Sequence, residues 1–144
     1  MQIHVPEDLS GDLRLLPEGT YEAAIQDFFL GKSKEGNPKL TCKWVITSEW
    51  SESVSKTTGK MKKGYVTTVG ENILDNFSLL PQSLWKLNSL WKAVTGEKLP
   101  HGDYDANDLL DKVKSALVGA AGHIDVYTDD GSGEERSNIK AWSF

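Results

Sequence analysis

Eight lysines, at positions 32, 34, 39, 43, 56, 60, 62 and 63, fall between Leu30 and Gly64, against Glu35, Glu49 and Glu52. That stretch has a net charge of +5 within a chain of net −5, so the remainder carries −10. A polyanion responds to the nearby basic patch, because salt screens the distant acidic part. Aromatic residues interleave with these lysines: Trp50 precedes Lys56, Lys60, Lys62 and Lys63, and Tyr65 follows them. Lysines that track phosphates beside aromatic faces that stack bases are the two ingredients of single-strand recognition, each stacked base contributing roughly 1–3 kcal/mol. Lys32, Lys34, Lys39, Lys43, Trp50, Lys56, Lys60, Lys62, Lys63 and Tyr65 are therefore the candidate nucleic-acid-binding residues. The competing reading is a pair of hairpins that the same lysines keep solvated.

Other chemistry finds little support. His4, His101 and His123 lie in different elements, and the single cysteine, Cys42, offers neither a disulfide nor a Cys/His metal spacing. Asp103 to Asn107 opens like a calcium loop, but Asp108 stands where glycine is needed and Lys114 where glutamate is needed. Gly131-Ser132-Gly133 lacks the third glycine of a dinucleotide fingerprint, and no phosphate-binding loop of the Walker type occurs. The acidic residues read as solvated caps and loop charges. No catalytic residue, metal or cofactor is expected, and the chain is not expected to be an enzyme. An accessory nuclease or other hydrolase using Asp103 to Asp111 is the weakest of the alternatives.

The elements that must position the lysines begin with a long hairpin. From Thr20 to Thr47, two segments of period-2 alternation flank a turn rich in Gly, Asn and Pro. Tyr21, Ala23 and Ile25 share one face, as do Leu40, Cys42, Trp44 and Ile46, and Cys42 is read as a small core residue. Lys32, Lys34, Lys39 and Lys43 fall on the exposed side and in the turn. The alternation breaks at Asp27-Phe28-Phe29, which predicts a bulge and a bend. Residues 1–17 form a lead-in with a short edge strand at 3–5, and residues 48–63 form a long loop of the length that usually carries function. A third strand is expected over Gly64–Glu71, resuming at Ile73–Phe77.

A helix is predicted from Pro81 to Thr95, with Leu84, Leu87, Leu90, Trp91 and Val94 in one stripe and Gly96 as its cap. A second, capped by Asp105, runs from Ala106 to Leu117 with Leu109, Leu110, Val113 and Leu117 inward. Strands follow at His123–Thr128 and Ser137–Ser143, joined by the acidic loop Asp129 to Glu135. The order is β-β-β-α-α-β-β in one domain spanning 1–144, mainly β with helices. At 144 residues, with five Trp, four Tyr and four Phe, such a chain can bury a core without a disulfide or metal. The N-terminus shows no signal-peptide pattern and no apolar run is long enough to cross a bilayer, so a soluble protein of a reducing compartment is expected.

Several short motifs carry a resemblance. They are Leu16-Pro17-Glu18-Gly19-Thr20-Tyr21, Ser33-Lys34-Glu35-Gly36-Asn37-Pro38-Lys39-Leu40 leading to Trp44, Leu84-Trp85-Lys86-Leu87 through Leu90-Trp91-Lys92-Ala93-Val94-Thr95-Gly96, and Leu117-Val118-Gly119 before Ile124. In these the chain resembles a family of tailed-phage proteins that includes single-stranded-DNA-binding proteins. The predicted element order is also similar to that of the OB-fold, a five-stranded Greek-key barrel. The resemblance implies single-stranded DNA binding with little sequence preference in bacteriophage DNA replication or DNA recombination, in the host cytoplasm. Its implied partners are single-stranded DNA and replication or recombination proteins, with no membrane, and an oligomer is compatible with it. Single-stranded-DNA-binding proteins often end in an acidic tail. This chain ends Ile139 to Phe144 instead: either such a tail is absent, or it has been cut away, or the acidic loop Asp129 to Glu135 serves in its place. The alternative function is an acidic interaction module, or nucleic-acid mimic, engaging a basic partner.

Overall fold

The computed structural model describes residues 16, 18–48, 69–129 and 136–144. Five strands and two helices follow one another in chain order: β1 (Gly19–Lys32), β2 (Pro38–Ile46), β3 (Asn72–Ser78), α1 (Trp85–Thr95), α2 (Ala106–Leu117), β4 (Ala121–Asp129) and β5 (Arg136–Ser143). The expected β-β-β-α-α-β-β order is observed. The expected edge strand at 3–5, most of the 48–63 loop, the strand segment 64–68 and most of the acidic loop lie outside the described residues. The third strand that is described is the expected continuation around Ile73–Phe77, whereas Val69 and Gly70, expected within the Gly64–Glu71 strand, form a turn, with Gly70 at φ 87°.

All strand pairs are antiparallel, in the spatial order β3-β2-β1-β4-β5. The hairpin of β1 and β2 closes at Lys32 opposite Pro38. Its turn is held by Ser33 N–H donating to Asn37 O at 2.8 Å and Gly36 N–H donating to Ser33 O at 2.9 Å. The register slips once, between Ile25 opposite Trp44 and Asp27 opposite Lys43, so Gln26 is the extra residue of a β-bulge. This single insertion explains why Ile25 and Phe28, three residues apart, both face the core.

The bulge also divides β1 into two halves. Gly19 to Ala24 pair with β4, and of these Ala23 and Ala24 pair with β2 as well. At the junction, Ile25 N–H donates to Ala120 O and Gly119 N–H donates to Ile25 O. Beyond it β1 pairs only with β2, and the C-terminal part of α2 packs beside the splayed strand, where Lys114 reaches Asp27 at 3.3 Å.

One face of the sheet is the core. Tyr21, Ala23, Ile25, Phe28, Leu40, Cys42, Trp44, Ile46, Ile73, Phe77, Ile124 and Val126 are buried there with Leu87, Leu90 and Trp91 of α1 and Leu109, Val113 and Leu117 of α2. The helices therefore cover the apolar side through the predicted stripes, with Leu84, Val94 and Leu110 half-buried at their margins. The predicted first helix is split. Pro81–Ser83 form one 3₁₀ turn, and the α-helix starts at Trp85 after Leu84, which provides no side-chain cap. Gly96, at φ 78°, ends α1 in the left-handed conformation that favours glycine, its N–H donating to Lys92 O. Asp105 caps α2 by accepting from Asn107 N–H at 3.2 Å.

Among the described residues the sheet is not closed by hydrogen bonds, and β3 and β5 are its two edges. Side chains span the seam, with the rings of Phe77 and Trp142 5.9 Å apart. Among the described residues no helix is long and apolar enough to cross a membrane.

Candidate nucleic-acid interface

The outward face of β1, β2 and β3 is built by the register. Opposed residues of an antiparallel pair share a face, so the outward side consists of cross-strand rows. One row is Phe29, Thr41 and Asn76; the next is Asp27, Lys43 and Leu74; a third is Gly31, Lys39 and Ser78. Phe29 is 44% exposed and Leu74 53% exposed, the two large apolar side chains in the centre of this face. Lys39 and Lys43 are half-buried, whereas Lys32 and Lys34 stand exposed at the hairpin turn.

The polar groups between them are partly engaged. Thr41 Oγ1 donates to Asn76 Oδ1 at 2.8 Å. Asn72 Nδ2 donates to Gln26 Oε1 at 3.0 Å and to Trp44 O at 3.1 Å. Asp27 accepts from Phe28 N–H at 2.8 Å. That bond holds its carboxyl below the ordinary value of 3.8; Lys114 and Lys43 act the same way, and partial burial opposes them. The acid is thus ionised at neutral pH and offsets one lysine in the middle of the face.

Of the ten predicted residues, Lys32, Lys34, Lys39 and Lys43 are brought together on one face and its adjoining turn. Trp50, Lys56, Lys60, Lys62, Lys63 and Tyr65 lie outside the described residues. Phe29, Leu74 and Lys114 were not foreseen. For Phe29 a signal was present: a Phe-Phe doublet in a strand must send one ring to each face. Lys114 had no such signal, since only the packing of α2 beside the splayed half of β1 brings it to Asp27. Cys42, the free cysteine, is buried, and burial pushes its thiol pKa up, as a packed core residue requires. Among the described residues no three His, Cys, Asp or Glu side chains are grouped to hold a metal ion.

Comparison with known protein families and with curated proteins finds no match for the chain.

Proposed function

We propose that this protein binds single-stranded DNA with little sequence preference, as a non-enzymatic component of phage DNA replication or recombination in the host cytoplasm. The observation that carries this reading is the outward face on which Phe29 and Leu74 stand exposed beside Lys39 and Lys43. A ring on a rigid sheet can stack on any base, while ammonium groups follow the phosphates. Thr41 and Asn76 are bonded to each other, and Asn72 to Gln26, which leaves fewer groups to read base edges and supports weak sequence preference. The strand order supports an OB-fold assignment: β4-β1-β2-β3 is the Greek-key order and β5 extends it, as the partly open barrel of that fold requires. In that fold the face of strands two and three is the one used for oligonucleotides.

Fluorescence anisotropy of a labelled oligothymidylate tests the assignment of the face. Phe29→Ala is expected to weaken binding by about 1–3 kcal/mol, the contribution of one stacked base. Lys43→Glu is expected to weaken binding to every sequence alike. Wild-type affinity in both variants would move the binding site elsewhere.

A further inference from the structure

The outward face of the sheet continues onto a helix. Beyond the Gln26 bulge β1 leaves β4, and the last turn of α2 lies beside it. Two backbone bonds pin the chain after α2 to the bulge: Ile25 N–H donates to Ala120 O at 2.9 Å, and Gly119 N–H donates to Ile25 O at 2.8 Å. Lys114 is thereby carried to the outward row of Asp27, Lys43 and Leu74, where its Nζ lies 3.3 Å from Asp27 Oδ1. Lys43 stands opposite Asp27 in register on β2, so two cations flank one carboxylate.

Asp27 is the one acid in the three outward rows that run from Gly31, Lys39 and Ser78 to Asp27, Lys43 and Leu74, and it sits one row from Phe29. Its carboxylate also accepts from Phe28 N–H at 2.8 Å, a bond within its own strand that does not depend on Lys114. The ion pair itself is open to water: the Lys114 side chain is 43% exposed and that of Asp27 36%. Exposed pairs of this kind contribute little to stability, so the cation exchanges readily for a better-placed anion. Lys114 has three donor hydrogens and, among the described residues, Asp27 as its ion-pair partner. A phosphodiester offers two acceptor oxygens, and it arrives tethered to a strand whose neighbouring phosphates meet Lys39 and Lys43.

We propose that Lys114 of α2 is a phosphate-binding residue of the nucleic-acid face, and that Asp27 holds it in place in the free protein as a stand-in for the phosphate. On binding, a phosphodiester takes over Lys114, and the carboxylate left beside the strand limits the affinity. The inference rests on the nucleic-acid reading of the face. It adds a helix residue to the path of the strand and makes Asp27 a determinant of how tightly the strand is held.

The test uses the full chain and a labelled oligothymidylate, with affinity measured by anisotropy across a range of salt. Lys114→Gln, at an exposed position, is expected to keep the wild-type melting temperature and to make the salt slope shallower by about 0.7, the loss of one phosphate contact. Asp27→Asn keeps an acceptor for Phe28 N–H and removes the charge. It is expected to tighten binding by up to about fivefold, the equivalent of one exposed charge interaction. The double variant separates a direct contact from neutralisation of Asp27. If Lys114 meets phosphate, adding Lys114→Gln to Asp27→Asn still makes the slope shallower by about 0.7, whereas a lysine that only neutralises Asp27 gives no further change. That second result overturns the inference, as does an unchanged slope in Lys114→Gln or binding no tighter in Asp27→Asn. In each of those cases the reading of the face stands so long as Phe29→Ala and Lys43→Glu weaken binding. Failure of the wild-type chain to bind oligothymidylate overturns both.

Discussion

Lys86 Nζ lies 2.7 Å from Asp75 Oδ1 and 2.8 Å from Asn76 O, and sits 4.7 Å from the centre of the Phe77 ring. The contact joins the start of α1 to β3 and admits a carboxylate to the core face of the sheet, where Asp75 pairs in register with Cys42. Asp75 Oδ2 has no hydrogen-bond partner among the described residues. Burial raises the Asp75 pKa above its ordinary value of 3.8, and Lys86 acts in the opposite direction without cancelling it. Removing the lysine leaves a buried carboxylate unpaired. Lys86→Ala is expected to destabilise the protein by about 1–3 kcal/mol at neutral pH, measured by urea denaturation.

The same group predicts a pH dependence. Because its folded pKa is raised, the folded state holds the Asp75 proton where the unfolded chain has lost it. Asp75 therefore lowers stability as pH rises from about 3.8 through the raised folded value. Asp75→Asn removes that titration, so the difference in unfolding free energy between variant and wild type should move in favour of the variant across this window. A difference that stays constant with pH would show that Asp75 does not titrate there.

How much of this was legible in the sequence divides along local and non-local lines. The alternation in β1 and β2 revealed the core face, and the spacing of Leu87, Leu90, Trp91, Leu109, Val113 and Leu117 revealed both helices, because each pattern repeats within one element. The bulge was visible as a broken alternation, though its extra residue is Gln26 rather than one of Asp27 to Phe29. Asp75 was not legible as a buried residue: it occupies the core phase of β3 only because Lys86 arrives from another element. On the candidate site, the lysines of the first hairpin could be read from strand parity. Phe29 and Leu74 become neighbours of Lys43 only through the pairing of three strands, which no local pattern specifies.

Leu87 is fully buried beneath the sheet. Leu87→Ala is expected to cost about 2–5 kcal/mol through lost contacts and a residual cavity. An unchanged melting temperature would contradict the packing of α1 on the core.

Gly122 sits where a side chain would meet its neighbours: a Cβ there would strike the carbonyl oxygen of Ser143 and come within 2.8 Å of Phe144 Cδ1. Phe144 in turn stacks on Trp44, with ring centroids 5.9 Å apart. Gly122→Ala is expected to push the last residues off Trp44 and destabilise by about 1–3 kcal/mol, as overpacking does. Near-ultraviolet circular dichroism should report the altered environment of Trp44.

Asp105→Ala removes the cap of α2 and is expected to cost about 1 kcal/mol without affecting nucleic-acid binding, which should also survive chelation. Metal-dependent strand cleavage by the purified protein, lost in Asp105→Ala, would contradict the non-enzymatic assignment.

The salt dependence of oligothymidylate affinity tests the central claim most directly. If Lys32, Lys34, Lys39 and Lys43, together with Lys56, Lys60, Lys62 and Lys63, meet the backbone, log affinity falls linearly with log salt at about −0.7 per phosphate neutralised. Lys62→Glu with Lys63→Glu reduces that slope, whereas Phe29→Ala weakens binding and leaves the slope unchanged, because stacking releases no counterions. No binding even at low salt, with partner association instead sensitive to charge reversal at Asp129, Asp130, Glu134 and Glu135, would contradict single-strand recognition.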